Sequence, residues 1–172
     1  MDISDDFLLN SLNLSYVRNF NEEESLFIFL TNKINSREAL RIKVIQNLKD
    51  KKFNSFIALE HIKYALNNKI EESYQDVKSL LLEDEIKYNL SETLKKYYEL
   101  TNDISFLKEC AANLESQKAW DVINIILDNK IDNDFVRNLA IQYIESLNND
   151  SMKYYLANSL NTLFKLNDSR AL

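Results

Sequence analysis

The sequence predicts an all-α protein without a sheet, folded as a right-handed α-solenoid of about four to five antiparallel helix pairs. Three observations support this prediction: the 172 residues include no glycine or proline, apolar residues follow a helical period almost throughout, and helix pairs recur at a near-constant spacing. Glycine supplies the left-handed backbone of tight hairpin turns, and average usage would give roughly twenty Gly and Pro residues. Sheet-rich folds and glycine-dependent phosphate loops are therefore hard to build from this chain.

Apolar residues recur at three- and four-residue steps, as Leu40, Val44 and Leu48 do, and this spacing puts them on one face of a helix. The predicted helices, in chain order, are 4–19, 22–34, 36–48, 53–66, 71–83, 88–101, 104–114, 117–128, 134–147 and 151–166. Clusters of Asn, Asp and Ser separate them. These residues cap helix starts with side-chain oxygens and tolerate left-handed backbone, so we expect them to replace glycine at the helix ends.

The helices group into pairs that form a single predicted domain, 1–172. Residues 1–35 make an atypical N-terminal cap unit, and the helix-pair units that follow are 36–69, 70–102, 103–132 and 133–167. Residues 40–49 also align without gaps on residues 139–148. A period of this size with two helices per unit is typical of an α-solenoid.

The segment Asp132-Asn-Asp-Phe-Val-Arg-Asn-Leu-Ala140 resembles the D-x-x-V-R-x-x-A run of HEAT repeats, with an exact V-R-x-x-A preceded by Asp132 and Asp134. Residues 155–163, followed by 167–172, are similar to the end of one such repeat and the opening of the next, with Asn167 where glycine is common. The resemblance covers residues 132–172 and is weak before them. It concerns the fold, since function depends on a site placed on the fold.

The HEAT resemblance also implies roles for three residues. Asp134 would cap a helix, Arg137 would reach a neighbouring turn, and Ala140 would permit close stacking of helices. The tetratricopeptide pattern of Trp, Gly, Tyr and Pro, which has a similar period, is missing.

Charge is unevenly distributed along the chain, which has a net charge of −6 and a pI near 4.9. The segments 1–35, 36–69 and 70–102 carry −4, +5 and −4, and the rest of the chain is mildly acidic. With 21 basic against 27 acidic residues, the chain is too acidic to bind a phosphate backbone, so no nucleic-acid partner is expected. The alternation is either solvated helix surface or a set of complementary patches for a partner.

The residues that enzymes need are scarce. The single His and single Cys, His61 and Cys110, lie in helical segments, where we expect them to be packed structural residues. No zinc-ligand spacing is present, and the acidic runs 22–24 and 83–85 read as solvated acids. The prediction is therefore a protein that is not an enzyme, with no catalytic residues, no cofactor and no metal.

Three features predict the compartment. No apolar run approaches the roughly 18 residues of a membrane span, and the first six residues are acidic where a signal peptide would be basic. A lone cysteine fits a reducing environment. We expect a cytoplasmic protein without a membrane partner.

The predicted binding surface lies on the second helix of each pair, which lines the concave face in HEAT-like solenoids. On 117–128, with Ala119, Val122, Ile123 and Ile126 buried, the outward stripe is Gln117, Asp121, Asn124 and Asp128, bordered by Trp120. On the next such helix, Tyr154, Asn158, Asn161 and Lys165 fall together. Tyr97 and Tyr98 cannot both face the core, so one is presented. Aromatic and short polar side chains of this kind anchor protein interfaces.

These features predict a non-catalytic protein-binding module. Size, acidity and expected compartment are similar to those of immunity proteins of bacterial contact-dependent growth inhibition and polymorphic toxin systems, some of which resemble HEAT-type proteins. That resemblance implies a basic toxin partner, such as an RNase, bound by a monomer in a 1:1 complex that occludes the toxin's active site by charge complementarity. The candidate contacts are Glu71, Glu72, Asp76, Tyr98, Trp120, Asp121, Asn124, Asp128, Tyr154 and Asn158.

Two alternatives remain open at this point. One is a scaffold or adaptor α-solenoid, or a fragment of a longer HEAT-repeat protein, because residues 167–172 read as the start of a further helix. The other is a HEAT-like DNA glycosylase, which Trp120-Asp121 would suit and the acidic composition disfavours.

Overall fold

The computed structural model describes residues 4–13, 26–51, 54–83, 86, 90–114, 116–146 and 155–171, and these residues form helices without any strand. The α-helices are α1 (Asp5–Ser11), α2 (Leu26–Lys33), α3 (Arg37–Asp50), α4 (Ser55–Asn67), α5 (Tyr74–Leu82), α6 (Ser91–Thr101), α7 (Ile104–Cys110), α8 (Gln117–Asp128), α9 (Asn133–Ser146) and α10 (Leu156–Lys165). Short 3₁₀ turns occupy Glu71–Ser73 and Ser169–Ala171. The all-α class is confirmed over this part of the chain.

Each predicted helix overlaps one observed helix, although α3, α4 and α9 extend one or two residues beyond the predicted bounds. Parts of the predicted helices lie outside the described residues, at 14–19, 22–25, 53, 88–89, 147 and 151–154. The observed helices begin close to the predicted starts wherever an Asn, Asp or Ser side chain accepts the N–H three residues on, as Ser36, Asn54 and Ser116 do. Capping chemistry therefore places these boundaries as the sequence indicates.

The chain divides into two compact units, Met1–Tyr88 and Asn89–Leu172. The first contains α1 to α5 and the second contains α6 to α10. The division falls inside the predicted helix-pair unit 70–102, so that its two helices, α5 and α6, belong to different units.

In the first unit, α1 packs on α2 and α3 packs on α4, while α1, α3 and α5 are neighbours. Asp5 at the start of α1 accepts the backbone N–H of Ser36, and Asn13 beyond its end donates to Asn47 of α3. The helices α1 and α3 therefore run in the same direction. These contacts join residues 31 and 34 positions apart, which matches the period predicted for the helix pairs.

The core of the first unit follows the predicted helical faces. Leu40, Val44 and Leu48 of α3 are fully buried, as are Ile62 and Ala65 of α4. Each large aliphatic side chain buried in this way contributes about 1.5–3 kcal/mol relative to exposure. The apolar residues that recur at helical spacing in the sequence are thus the buried residues of α3 and α4, which pack on each other.

In the second unit, α6 and α7 both pack on α8, α8 packs on α9, and α9 packs on α10. Trp120 of α8 lies at the centre with 1% of its surface exposed. Its ring lies edge-on to Tyr143 and stacks on Tyr155, and its indole N–H donates to the carbonyl of Leu114 at 2.9 Å. The expectation that Trp120 borders the outward stripe is wrong, because non-local aromatic partners enclose it.

Among the described residues, five take left-handed backbone, the conformation that glycine adopts most easily. They are Lys51, Lys69, Asn102, Lys130 and Asn167, with φ of 52–53°, and each follows a helix. The expected use of Asn is confirmed at Asn102 and Asn167, but lysine fills the other three positions. The β-carbon of a residue other than glycine disfavours this conformation, and it does so less strongly in Asn than in lysine.

Helices α4 and α8 end in the same way, at Asn68-Lys69-Ile70 and Asn129-Lys130-Ile131. In both, the isoleucine N–H donates to the carbonyl five residues earlier, at 2.9 and 3.0 Å, as in a Schellman motif. The Asn side chain donates to the carbonyl four residues back, at 2.8 Å in both. The repeated Asn-Lys-Ile is a sequence signal of a helix end that operates without glycine.

The HEAT-like segment has its cap two residues earlier than expected. Asp132, not Asp134, accepts the N–H of Phe135 at 3.0 Å, at the start of α9. Asp134 is exposed and pairs with Arg137 one turn along. The predicted capping role of Asp134 is therefore corrected to Asp132, because α9 begins at Asn133.

Arg137 and Ala140 are the other two residues to which the resemblance gave roles. Arg137 reaches a neighbouring turn, where its Nε lies 3.3 Å from Asp168 Oδ2, and Ala140 is fully buried. One step earlier, Lys108 makes the corresponding contact to Asp132 at 2.7 Å. Each cation thus reaches a carboxylate that lies just ahead of a later helix or 3₁₀ turn.

Candidate protein-binding surface

Helix α8 presents the predicted polar stripe. Ala119, Val122, Ile123 and Ile126 are fully buried, which confirms the inward face. On the opposite side Gln117, Asn124 and Asp128 are exposed, and Asp121 is half-buried and accepts from Gln117 Nε2 at 2.9 Å. The sharp division between these faces follows from the helical period.

The predicted stripe on α10 lies beside the stripe on α8. Lys165 Nζ of α10 donates to Asn124 Oδ1 of α8 at 3.4 Å, which joins them. Asn161 and Lys165 are exposed and Asn158 is half-buried, whereas Tyr154 lies outside the described residues. The α8–α10 surface is defined here as Gln117, Asp121, Asn124, Asp128, Asn158, Asn161 and Lys165.

Carboxylates dominate the charge on the α8 side of this surface. Asp121 and Asp128 lie seven residues apart, two helical turns, on the same face. Within the described residues neither forms an ion pair, so both charges point to solvent or to a partner. A field of this kind attracts a cationic group.

Helix α10 also exposes an apolar pair that the sequence analysis did not single out. Phe164 is 67% exposed and Leu160, one turn before it, is 36% exposed. The sequence gives no signal for this exposure, because Leu160 and Phe164 share a helical spacing with Leu163, whereas the structure buries Ser159 and Thr162 beside Leu163. Large exposed aromatic side chains often anchor protein contacts.

Tyr98 is presented as predicted. Tyr97 is 3% exposed and packs on Phe106 with ring centroids 4.6 Å apart, while Tyr98 is half-buried at the surface of α6. Because α6 packs on α8, this phenol lies on a helix adjacent to the α8–α10 surface.

The three remaining candidates belong to the first unit. Glu71 and Glu72 are exposed in the 3₁₀ turn, and Asp76 on α5 is half-buried. Glu72 forms an ion pair with Arg41 of α3. The structure therefore places these acids and the α8–α10 surface in separate units, with Glu72 already engaged by a cation.

His61 is buried, and both of its ring nitrogens are engaged, with Asn47 Nδ2 at 2.9 Å from Nε2 and the Ile57 carbonyl at 2.9 Å from Nδ1. Burial lowers its pKa to about 4. Cys110 is buried as well. Both residues are packed as expected.

The described part of the chain contains no group of three or more His, Cys, Asp or Glu side chains arranged to hold a metal ion. Among its helices, none combines the length and apolar character needed to cross a membrane.

No protein-family model matches the chain, and the curated proteins and solved structures compared with it contain no significant match. The HEAT resemblance rests on the sequence of residues 132–172.

Proposed function

We propose that the chain is a non-catalytic protein-binding module whose α8–α10 surface contacts a protein partner. The observation that supports this most is the Lys165–Asn124 hydrogen bond, which joins two polar stripes that the helical period had indicated separately. Short polar groups next to the exposed Phe164 have the composition of an interface.

The scaffold of this proposal is a right-handed HEAT-like α-solenoid. The same-direction packing of α1 and α3 in the first unit supports it, because first helices of successive repeats stack in this manner. In the second unit, Lys108–Asp132 and Arg137–Asp168 link α7 to the start of α9 and α9 to the turn after α10, as contacts between successive repeats would.

The specific role we propose is that of an immunity protein that occludes the active site of a cationic toxin, such as an RNase. Asp121 and Asp128 are the groups that would attract basic residues of the toxin. Electrostatic attraction between complementary surfaces raises the association rate more than it raises affinity. Inhibition would follow from covering the catalytic cleft in a 1:1 complex.

The experiment measures association with a toxin domain encoded beside this chain's gene, using the double variant Asp121→Lys, Asp128→Lys. We expect its association rate to fall at least tenfold and the wild-type rate to fall steeply with salt. The matched control is Glu92→Lys, Glu99→Lys, since these exposed acids are also seven residues apart in the same unit. Equal effects of the two variants contradict this surface, and a gene neighbourhood without a toxin contradicts the immunity role.

A scaffold or adaptor is the second candidate, favoured by the exposed Leu160 and Phe164 on α10. An apolar face of this kind suits stacking of another helical element. Under this role, Phe164→Ser would abolish partner binding while Asp121→Lys would leave it unchanged, whereas a toxin inhibitor would lose association rate in Asp121→Lys.

A further inference from the structure

A chain of buried hydrogen bonds crosses the first unit from α1 to α4. Asn13 Nδ2 donates to Asn47 Oδ1 at 3.1 Å, and Asn47 Nδ2 lies 2.9 Å from His61 Nε2. His61 Nδ1 lies 2.9 Å from the Ile57 carbonyl oxygen. One line of polar groups therefore joins Asn13, just beyond the end of α1, to α3 and α4.

The partners determine which way each hydrogen bond points. A carbonyl oxygen only accepts, so His61 Nδ1 must carry a proton and donate to Ile57. With neutral His61, Nε2 is then an acceptor and takes a hydrogen from Asn47 Nδ2. Every donor in the chain consequently points from α1 toward α4.

Protonated His61 cannot keep this arrangement. A second N–H at Nε2 would face the Asn47 Nδ2 group, so two donors would oppose each other. If the Asn47 amide turns by half a revolution, its oxygen accepts from His61 and its nitrogen then faces Asn13 Nδ2. The conflict is removed only if the Asn13 amide turns as well.

We infer that the proton on His61 sets the direction of this hydrogen-bond chain, so that protonation turns over the Asn47 and Asn13 amides where α1 packs on α3. Asn13 Oδ1 is buried and has no hydrogen-bond partner among the described residues. In the reversed chain the Asn13 NH₂ group takes that position, and an unpaired buried N–H is less tolerated than an unpaired carbonyl. The end of α1 therefore opposes protonation of His61.

The surroundings of the His61 ring also oppose its protonation. Phe27 of α2 lies against it with ring centroids 4.6 Å apart, and Tyr64 of α4 packs on Phe27 in turn. Lys43 of α3 is a nearby cation. Burial lowers the pKa of His61 most, the bond to Ile57 opposes this, and Lys43 lowers it further.

The test is a pH titration of the full chain from pH 7 to pH 3, followed by ¹⁵N NMR of the His61 ring and the Asn side-chain amides. We expect the Asn47 and Asn13 NH₂ signals to move with the same midpoint as the ring. The exposed side chain of Asn67, also on α4, is the internal control and should not follow that midpoint.

The variant Asn13→Leu tests the coupling directly. Without the Asn13 amide, Asn47 turns freely, and we expect the protonation constant of His61 to rise about three- to tenfold. Asn67→Leu should leave it unchanged. The inference is overturned if the Asn13 NH₂ signal does not move with the His61 ring titration, or if the protonation constant of His61 is unchanged in Asn13→Leu. Unfolding of the first unit before either amide signal moves also overturns it.

Discussion

At the scale of single residues, Lys130 shows how a chain without glycine ends a helix. It is exposed, has φ of 53° and follows α8, in a position where glycine has no β-carbon to strain. We expect Lys130→Gly to raise the free energy of unfolding by about 0.5–1 kcal/mol. Chemical denaturation measures this change.

The matched control for this substitution is Lys95→Gly, at an exposed position inside α6. Glycine there should lower the free energy of unfolding by about 0.5–1 kcal/mol, because it loses more backbone entropy on folding. Changes of the same sign in both variants would contradict the account of the left-handed lysines.

His61 makes stability depend on pH. Its pKa is lowered from 6.5 in the unfolded chain to about 4 in the folded protein, chiefly by burial, so the unfolded state binds more protons between these values. The stabilisation is complete above pH 6.5 and is lost as pH falls toward 4, by about 3 kcal/mol in total. Denaturation at pH 7.5, 5.5 and 4.5 checks this slope.

His61→Gln provides the comparison, because glutamine does not titrate. We expect a flatter dependence of unfolding free energy between pH 7.5 and 4.5 than in the parent chain. Asp168 affects a lower range, since hydrogen bonds from Arg170 hold its pKa at about 2 and its contribution is lost only below pH 3.8. Identical slopes for the parent and the variant would show that another group is responsible.

At the scale of elements, α9 packs on both α8 and α10, and its Ala140 is fully buried. Ala140→Leu should overpack this contact and lower the free energy of unfolding by about 1–3 kcal/mol. Ala157→Leu, on the exposed face of α10, should change it by no more than about 0.5 kcal/mol. Equal melting temperatures for the two variants would contradict the packing of α9.

At the scale of the whole molecule, ion pairs link the basic segment 36–69 to the acidic segment that follows it. Arg41 and Lys51 from the basic segment pair with Glu72 and Glu83 from the acidic segment that follows. Partly exposed pairs of this kind contribute only about 0–1 kcal/mol each. These pairs stabilise the same-direction packing of α3 and α5, and the charges that form them are already engaged within the unit.

A double-mutant cycle measures that contribution. Arg41→Glu should lower the free energy of unfolding by about 0.5–1 kcal/mol, because the new acid lies beside Glu38 and Glu72 and is repelled by both. Adding Glu72→Arg should restore most of the loss. Lys49→Glu, exposed on the same helix, is the control, and an equal loss there would assign the effect to net charge.

Local patterns predicted most of the secondary structure and part of the candidate surface. The helical period of α3 and α8 identified their buried faces, and the same period placed Asp121, Asn124 and Asp128 on one exposed stripe. Such features depend on neighbours three or four residues away, which the sequence displays directly.

Tertiary contacts decided the rest. Trp120 is buried because Tyr143 and Tyr155 enclose it from other parts of the chain, and no local pattern indicates those partners. The contact of Lys165 with Asn124 likewise joins residues 41 positions apart. The sequence by itself determined an all-helical chain and the faces of its helices, because helical periodicity is local. Only the tertiary structure decided which faces meet and which aromatic side chains remain exposed, because burial depends on partners distant in sequence.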